Sequence, residues 1–277
     1  MTSYQVSASI VAFHSNPGEL KKAIDSFLNN NFPKLLVVID HSANDDLREM
    51  IAAFGEEVLY FHHPENRGFG AGHNIAIKKI IDHSAYHLIL NPDVYFDQHV
   101  LPSLVAYMEA HEKAGAIMPK ILDENGNLQY LAKLLPAPSD LLFKRFLPKS
   151  MAEKRLTRFQ LKFTDYNSVM HVPYLSGCFM FLRTKALRTS GLFDERFFMY
   201  PEDIDLSRRI HEHYDTLFYP HVFITHKHEA ASYRNYKMLW IHIKNMVKYF
   251  NKWGWFNDKK REQVNFSTLN KLGYFES

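Results

Sequence analysis

The feature that most constrains the fold is an alternation of short apolar segments with helical segments over the first 120 residues. Four segments, 6–13, 35–39, 58–61 and 87–90, have the length and β-branched content of buried strands. Helical patterns follow them at 17–29, 45–54, 74–81 and 98–112. Short strands joined by helices predict an α/β fold, with a mostly parallel sheet flanked by helices.

Two helix starts carry capping residues. Asn16 precedes Pro17, which suits the first helical position, and Glu19 has the spacing of a capping box. Asn44 is expected to cap the second helix. These residues predict where the chain leaves two neighbouring strands.

The second half of the chain has a less regular pattern. A turn is expected at 123–127, a strand at 172–182, a helix at 203–213 and a strand at 217–224. Segment 133–162 carries three prolines and eight Lys/Arg against two acidic residues, which favours a mobile basic insertion or lid. The expected division is a first half at 1–120, a second half at 121–234 that contains the basic insertion, and a helical tail at 235–277.

The expected tail helix, 235–253, is amphipathic and lysine-rich. Leu239, Ile243, Met246 and Phe250 share one face, which suits either packing on the domain or contact with a membrane surface. Segment 227–262 holds nine Lys/Arg against three acidic residues in a chain of net charge +3. Both basic segments fit an anionic partner or a solvated surface.

Composition predicts a cytoplasmic location. Cys178 is the single cysteine, which fits a reducing compartment, and we expect neither a signal peptide nor an apolar run long enough to span a bilayer. Peripheral contact with the inner face of the plasma membrane remains compatible with the basic tail.

Polar residues follow three of the expected strands. His14 and Ser15 come after the first, Asp40 after the second, and Asn91 and Asp93 after the fourth. In open α/β sheets, ligands bind beyond the carboxyl ends of the strands. These side chains are therefore candidate ligand contacts, although each also suits an Asx turn or a helix cap.

The glycine-rich segment 66–74 is a candidate phosphate loop. Its glycines allow close backbone approach to a ligand, and Arg67 next to Asn66 adds a positive charge. The glycine spacing is not that of a dinucleotide-binding loop, and Gly-Lys-Ser/Thr is absent from the segment. The spacing therefore argues against a dehydrogenase or a P-loop NTPase.

Two acidic segments suggest catalytic chemistry. Asp93, at a strand end, can hold Mg²⁺ or Mn²⁺, which in turn binds a diphosphate. Glu202, Asp203 and Asp205 follow Tyr200 at a helix start, where aromatic and acidic side chains together can form a sugar subsite. The same acids also complement a helix dipole, so the pattern leaves a structural role open.

In this order, the motifs resemble family 2 glycosyltransferases, which have the inverting GT-A fold, a Rossmann-like sheet flanked by helices. The resemblance extends from about Ser7 to Tyr233, and is greatest to bacterial rhamnosyltransferases of O-antigen and related surface polysaccharides. It rests on the strand ends at Ser15 and Asp40, the Asn66–Asn74 loop, Asn91-Pro92-Asp93, Gly177-Cys178-Phe179-Met180, Gly191-x-Phe193-Asp194-Glu195, Glu202-Asp203-x-Asp205-Leu206 and His226.

The resemblance implies a nucleotide-sugar-binding half at 1–120, an acceptor-binding half at 121–234 and a role for each matching residue. The nucleotide-sugar site would comprise His14, Ser15, Asp40, Asn66, Arg67, Asn91 and Asp93. Asp93 and His226 would hold the Mg²⁺ or Mn²⁺ ion, although Asn91 stands where the family has the first aspartate of Asp-x-Asp. Asp203, or secondarily Glu202, would be the catalytic base, while Tyr200 and Asp205 would contact the acceptor.

The implied reaction transfers a sugar with inversion from a nucleotide-diphosphate donor to a saccharide or polyprenyl-linked acceptor. The resemblance favours dTDP-rhamnose as donor, and a UDP-hexose remains an alternative. A non-catalytic nucleotide- or sugar-binding module is the competing class. A pyrophosphorylase would require a basic glycine-rich loop where His14 and Ser15 stand, and no nucleic-acid-binding module is evident.

Overall fold

The computed structural model describes residues 3–141, 149–227 and 236–274. Within these ranges the strands are β1 (Tyr4–Ala12), β2 (Lys34–Asp40), β3 (Val58–His62), β4 (Ser84–Leu90), β5 (Val94–Tyr95), β6 (Ala114–Leu122), β7 (Ala132–Lys133), β8 (Met170–His171), β9 (Tyr174–Leu175), β10 (Phe179–Arg183) and β11 (Asp215–His226). The α-helices are α1 (Pro17–Leu28), α2 (Arg48–Ala52), α3 (Phe69–Ile80), α4 (Val100–Ala110), α5 (Pro138–Leu141), α6 (Lys149–Phe159), α7 (Thr184–Ser190), α8 (Glu202–His211), α9 (Tyr236–Trp253) and α10 (Lys259–Lys271).

One large sheet organises the described residues. Its strand order is β3-β2-β1-β4-β10-β6-β11-β5, and β8 pairs with β11. Strands β1 to β4 are mutually parallel, whereas β10 runs antiparallel between β4 and β6. The sheet therefore contains both parallel and antiparallel strands, within an α/β fold. Its strands come from both sides of the division expected at residue 120.

Helices cover both faces of the parallel half, as predicted. Along β2, Leu36 and Val38 join the large core with α1, while Val37 and Ile39 pack in a smaller cluster with α3 residues such as Ala76. Successive strand residues point to opposite faces, so a strand buried on both sides is apolar throughout. This explains the continuous apolar run at 35–39.

The start of α1 was predicted in position but not in every contact. The Asn16 side chain accepts hydrogen bonds from the backbone N–H groups of Gly18 (2.9 Å) and Glu19 (3.2 Å). The Glu19 carboxylate pairs with Lys227 Nζ at 3.2 Å. Glu19 thus links α1 to the end of β11.

Several other boundaries differ from the predictions. The expected phosphate loop is largely helical, because α3 already begins at Phe69. The segment 172–182 is divided into β9 and β10 by a turn at Gly177. The second helix is limited to α2, and Asn44 does not cap it, since the residue before α2 is Leu47 and makes no side-chain cap.

The structure describes both flanks of the basic insertion. Strand β7 pairs with β9, with Lys133 opposite Tyr174, and α6 occupies 149–159. Residues 142–148, the middle of the expected lid, lie outside the described residues. The described flanks are therefore built into the domain rather than projecting from it.

The described part of the tail, 236–274, forms two helices, of which only α9 was predicted. Met246 and Phe250 are buried as expected from the apolar face, and Tyr249 is buried beside them. Residues 228–235 lie outside the described range. Among the described helices, none has the length and apolar character needed to cross a bilayer.

Candidate active site

The strand directions bring the predicted site residues to one edge of the sheet. The parallel strands β1, β2 and β4 end there at Ala12, Asp40 and Leu90. Because β10 is antiparallel to β4, its first residue, Phe179, lies opposite Leu90. The end of β11 reaches the same edge, where His226 pairs with Val94 of β5.

Asp40 lies at this edge but is held from within the protein. Its side chain is fully buried; Oδ1 accepts the Ser42 N–H at 2.9 Å and Oδ2 accepts the Tyr60 hydroxyl at 2.8 Å. Burial raises the pKa of Tyr60, and the hydrogen bond with Asp40 raises it further. Because the Asp40 side chain is fully buried, a nucleotide base could contact it only after neighbouring residues move.

His14 and Ser15 form the neighbouring rim. His14 is exposed, has a left-handed φ of 51° and donates its backbone N–H to Ser42 Oγ at 2.9 Å. The Ser15 hydroxyl accepts the Phe13 N–H at 3.3 Å. The loops after β1 and β2 are thus joined directly, with the His14 side chain facing solvent.

Asn66 and Arg67 lie at the start of α3. Asn66 Oδ1 accepts the Gly68 N–H at 2.9 Å, and Arg67 lies 3.9 Å from Glu195 Oε2. Gly68 has a φ of 100°, and a Cβ there would lie 2.3 Å from the Phe198 carbonyl oxygen. The glycine therefore permits the helix start to contact the segment that leads into α8.

Asp93 and His226 meet although they are far apart in the sequence. His226 Nε2 lies 3.5 Å from Asp93 Oδ2, and Gln129 lies 3.0 Å from the other ring nitrogen of His226. Gln129 also donates to the His226 carbonyl at 2.8 Å. These contacts fix the orientation of the imidazole. In metal-bound histidines, a hydrogen bond to the second ring nitrogen has the same effect.

This pair fits a divalent ion that is shared with a substrate. Asp93 Oδ1 is buried without a hydrogen-bond partner, while 29% of its side chain is exposed. No group of three or more His, Cys, Asp or Glu in the described part of the chain is arranged to hold a metal. Asp93 and His226 would therefore need oxygen ligands from water or phosphate, which Mg²⁺ commonly uses.

Glu202 and Asp203 form a second, more deeply buried centre. Asp203 Oδ2 accepts the Gly177 N–H at 2.8 Å and the Tyr174 hydroxyl at 3.4 Å, and Oδ1 accepts the Ile204 N–H at 2.8 Å. Glu202 Oε2 is buried without a hydrogen-bond partner. The two neighbouring carboxyl groups therefore have different environments.

Burial raises the pKa of both carboxyl groups, and the negative charge of Asp203 raises the pKa of Glu202 further. The hydrogen bond from Gly177 and the positive charge of Lys133 oppose the effect of burial at Asp203. Two adjacent buried carboxyl groups do not readily both ionise. Asp203 accepts three hydrogen bonds, which favour its ionised form, whereas Glu202 Oε2 has no donor, so the arrangement favours ionisation of Asp203 before Glu202.

A single dipeptide connects the two centres. The Gly177 N–H holds Asp203, and the next residue, Cys178, accepts the Asn91 N–H through its carbonyl at 2.9 Å. A Cβ on Gly177 would lie 3.2 Å from the Cβ of Asp203. The turn that interrupts segment 172–182 thus places the acid pair beside the Asn91–Asp93 turn.

Tyr200 and Asp205, the expected acceptor contacts, occupy different environments. Tyr200 is half-buried just before the acid pair. Asp205 is fully buried and accepts hydrogen bonds from Trp253 Nε1 (2.8 Å) and Arg209 Nε (2.9 Å). These contacts anchor α8 to α9, so the structure gives no support to an acceptor contact at Asp205.

Three further residues shape the site without having been singled out from the sequence: Tyr174, Gln129 and Lys133. Lys133 lies 5.2 Å from the centre of the Tyr174 ring, and the Tyr174 hydroxyl contacts Asp203. None of them belongs to a local motif. The sequence signal for the close contact between Gly177 and Asp203 was a glycine within an apolar run, which often marks a close approach of another group to the backbone.

The family model described as Glycosyl transferase family 2 matches residues 7–191. Because this match covers more than half of the chain, the chain belongs to that family. It is a glycosyltransferase with a mixed α/β fold of the GT-A type. The match ends before the acid pair at 202–203.

Two curated relatives are rhamnosyltransferases. Rhamnosyltransferase WbbL of Escherichia coli (strain K12) is 25% identical over 252 residues, which cover 87% of this chain and 90% of WbbL. The N-acetylglucosaminyl-diphospho-decaprenol L-rhamnosyltransferase of Mycobacterium tuberculosis is 24% identical, over 73% of this chain and 69% of the relative. The chain is thus similar to rhamnosyltransferases over most of its length.

Solved structures share the fold. S. aureus TarS, residues 1–349, matches 96% of this chain and 71% of its own with a TM-score of 0.60 and 16% identity. GalNAc-T7, solved with UDP, GalNAc and Mn²⁺, matches 82% of this chain with a TM-score of 0.63 and 17% identity. This chain covers 43% of that GalNAc-T7 chain. At these identities the likeness concerns the fold.

Proposed function

We propose that the protein transfers a sugar, with inversion, from a nucleotide-diphosphate donor to a hydroxyl group of a saccharide acceptor. The observation that carries the proposal is the placement of two distinct carboxylate centres at one sheet edge. Asp93 with His226 suits a diphosphate and its cation, and Glu202 with Asp203 suits a hydroxyl group that must lose its proton.

Asp203 is the proposed base. It ionises before Glu202, and the hydrogen bonds from Gly177 and Ile204 fix its position. As the acceptor oxygen attacks the anomeric carbon, Asp203 takes the hydroxyl proton, the bond to the nucleotide diphosphate breaks, and the configuration inverts. Protonated Glu202 can donate a hydrogen bond that orients the acceptor.

The donor side is proposed to comprise His14, Ser15, Asp40, Asn66, Arg67, Asn91 and Asp93, with the cation held by Asp93 and His226. Bound Mg²⁺ or Mn²⁺ would stabilise the negative charge that develops on the departing diphosphate. Asp93 has the unpartnered oxygen that such an ion requires. The base contact at Asp40 requires neighbouring residues to move, because the side chain is fully buried.

For the donor we propose dTDP-rhamnose and for the acceptor a saccharide carried on a lipid diphosphate, in the synthesis of a bacterial surface polysaccharide such as O-antigen. The two rhamnosyltransferase relatives support this choice, and the name of one of them specifies an N-acetylglucosaminyl-diphospho-decaprenol acceptor. A UDP-hexose donor is the alternative, supported by the fold shared with structures that contain UDP.

A thermal-shift screen of dTDP, UDP, GDP and ADP, each with and without Mn²⁺, tests the donor side. We expect dTDP to raise the Tm more than the other nucleotides, and the shift to require the cation. Asp93→Asn should remove most of the shift because it removes the carboxylate charge next to the ion. Asp25→Asn, on the exposed surface of α1, is the matched control.

A larger Tm shift with UDP than with dTDP would contradict the proposal that dTDP-rhamnose is the donor. A Tm shift that still requires the cation and is undiminished in Asp93→Asn would contradict the proposal that Asp93 holds the cation. No shift with any nucleotide would contradict the proposed function itself.

Peripheral membrane contact is proposed for the start of α9, which would bring a cytoplasmic enzyme to a lipid-linked acceptor. Trp240 is 70% exposed there, and Lys244 is exposed one turn further on. Interfacial helices combine such aromatic and basic side chains. Trp240→Ala should reduce co-sedimentation with vesicles containing anionic lipid. Equal sedimentation of both proteins would contradict the contact.

A further inference from the structure

Helix α9 contacts both the segment that leads into the acid pair and the first turn of α8. Three polar side chains reach the segment: Asn245 binds the Met199 carbonyl (3.1 Å), Lys248 the Arg196 carbonyl (2.6 Å) and Lys252 the Asp194 Oδ2 atom (2.8 Å). A fourth, Trp253, donates to Asp205 Oδ1 in α8 (2.8 Å). The family match ends at residue 191, so it assigns no role to this helix.

The turn just before the acid pair has an unfavourable backbone conformation. Tyr200 has a φ of 90°, in the region that residues other than glycine seldom adopt. Such conformations persist where surrounding contacts determine them, and they concentrate at functional sites. Pro201 follows and Glu202 begins α8, so the direction of the chain at Tyr200 sets where the two carboxyl groups start.

Two successive carbonyl groups of this turn are held by different helices. The Phe198 carbonyl accepts the Phe69 N–H at the start of α3, at 3.0 Å. The next carbonyl, of Met199, accepts the side-chain amide of Asn245, which is 2% exposed. The turn is therefore fixed between the donor-side helix α3 and α9.

The Tyr200 ring is held by α9 as well. Its centre lies 4.6 Å from that of the His242 ring, with 32° between the ring planes. His242 is one turn before Asn245 on α9 and is half-buried. The backbone of the turn and the side chain of its strained residue thus contact the same face of one helix.

We propose that Asn245 and His242 are positioning residues for the acid pair. They hold the Met199–Tyr200 turn in its strained conformation, and through it they set the approach of Asp203 and Glu202 to the acceptor hydroxyl. This inference rests on the proposed function, because it takes the acid pair as the catalytic centre.

The test measures steady-state transfer from dTDP-rhamnose to a synthetic N-acetylglucosaminyl-diphosphoryl lipid. A small misplacement of catalytic groups can cost about 100-fold in rate. We expect Asn245→Ala to lower kcat by about 10- to 100-fold, with the Tm shift caused by dTDP and Mn²⁺ unchanged. Lys248→Ala, which contacts the same segment further from the acids, should keep the kcat of the unaltered protein.

A double-mutant cycle with Tyr200→Gly separates positioning from a general loss of structure. Glycine adopts a φ of 90° without strain, so the turn then needs less support. Asn245→Ala should therefore lower kcat much less in the Tyr200→Gly protein than in the unaltered one. An equal factor in both backgrounds would contradict the proposed route through Tyr200.

Other outcomes are equally decisive. Unchanged kcat in Asn245→Ala overturns the inference, and so does a loss that Lys248→Ala shares. If Asn245→Ala does not fold, His242→Ala provides the same comparison. No transfer by the unaltered protein, or normal transfer by Asp203→Asn, would instead contradict the proposed function.

Discussion

Glu202, Asp203 and Asp205 look equivalent in the sequence, and packing gives them three different environments. Asp203 is held by backbone N–H groups, Glu202 has an oxygen without a partner, and Asp205 is enclosed by Arg209 and Trp253. The sequence could place all three in the first turn of a helix. It could not show that α9 would cover Asp205, because that contact joins residues 48 positions apart.

The raised pKa of Asp203 predicts the pH dependence of transfer. A base acts when ionised, so kcat/KM should fall as the pH drops through the pKa of Asp203. This fall should occur at a higher pH than for an ordinary aspartate, whose pKa is about 3.9. Lys133→Met removes a positive charge that lowers the pKa of Asp203, so it should move the acidic limb to still higher pH. The measurement is a kcat/KM profile of each protein.

Glu202→Gln is the control for this profile. Because Glu202 keeps its proton until after Asp203 ionises, the substitution should leave the acidic limb in place. An acidic limb at the ordinary aspartate pKa, or a limb shifted by Glu202→Gln, would contradict the assignment of Asp203 as the ionised partner.

At the level of secondary structure, local sequence patterns predicted several strands and helices, but they did not predict how the strands pair. The β1, β2 and β4 strands and the α9 face follow from periodicity within short windows. The antiparallel insertion of β10 between β4 and β6 depends on contacts between residues far apart in the chain. Helix α10 escaped prediction because its sequence is largely polar with few periodic apolar positions.

One buried ion pair contributes to the attachment of α10, and it predicts a stability effect. Arg208 of α8 and Asp258, the residue before α10, are 3% and 4% exposed and form two hydrogen bonds of 2.6 and 2.7 Å. Removing one partner of a buried pair leaves an uncompensated charge. Asp258→Ala should therefore lower the free energy of unfolding by about 3–5 kcal/mol, measured by urea denaturation.

The exposed pair of Lys21 and Asp25 on α1 provides the comparison. Its side chains are more than half exposed, so Lys21→Ala should change the free energy of unfolding by about 1 kcal/mol or less. Similar effects of the two substitutions would show that the Arg208–Asp258 pair does not hold α10 in the folded protein.

At the scale of the whole molecule, the sheet edge is what unites the site. Asp93 and His226 are 133 positions apart in the sequence, and they meet because β5 and β11 are neighbours. The resemblance of motifs predicted that these residues act together, whereas composition and periodicity did not. The connection through Gly177 and Cys178 depends on the position of β10, so the sequence could not supply it.

The family match and the acid pair lie in different parts of the chain. Residues 7–191 supply most strands of the sheet, and β11, which lies beyond them, brings His226 to Asp93. Under the proposed function, α8 and α9 complete the acceptor side. We therefore expect Asp203 to remove the acceptor proton while the donor side binds the nucleotide independently.

The most direct test is transfer by Asp203→Asn, with dTDP-rhamnose and the lipid-diphosphate acceptor, beside its nucleotide-induced Tm shift. We expect a loss of about 10²- to 10⁴-fold in kcat, the usual contribution of a general base, with the Tm shift retained. Transfer close to that of the unaltered protein would contradict the assignment of Asp203 as the base.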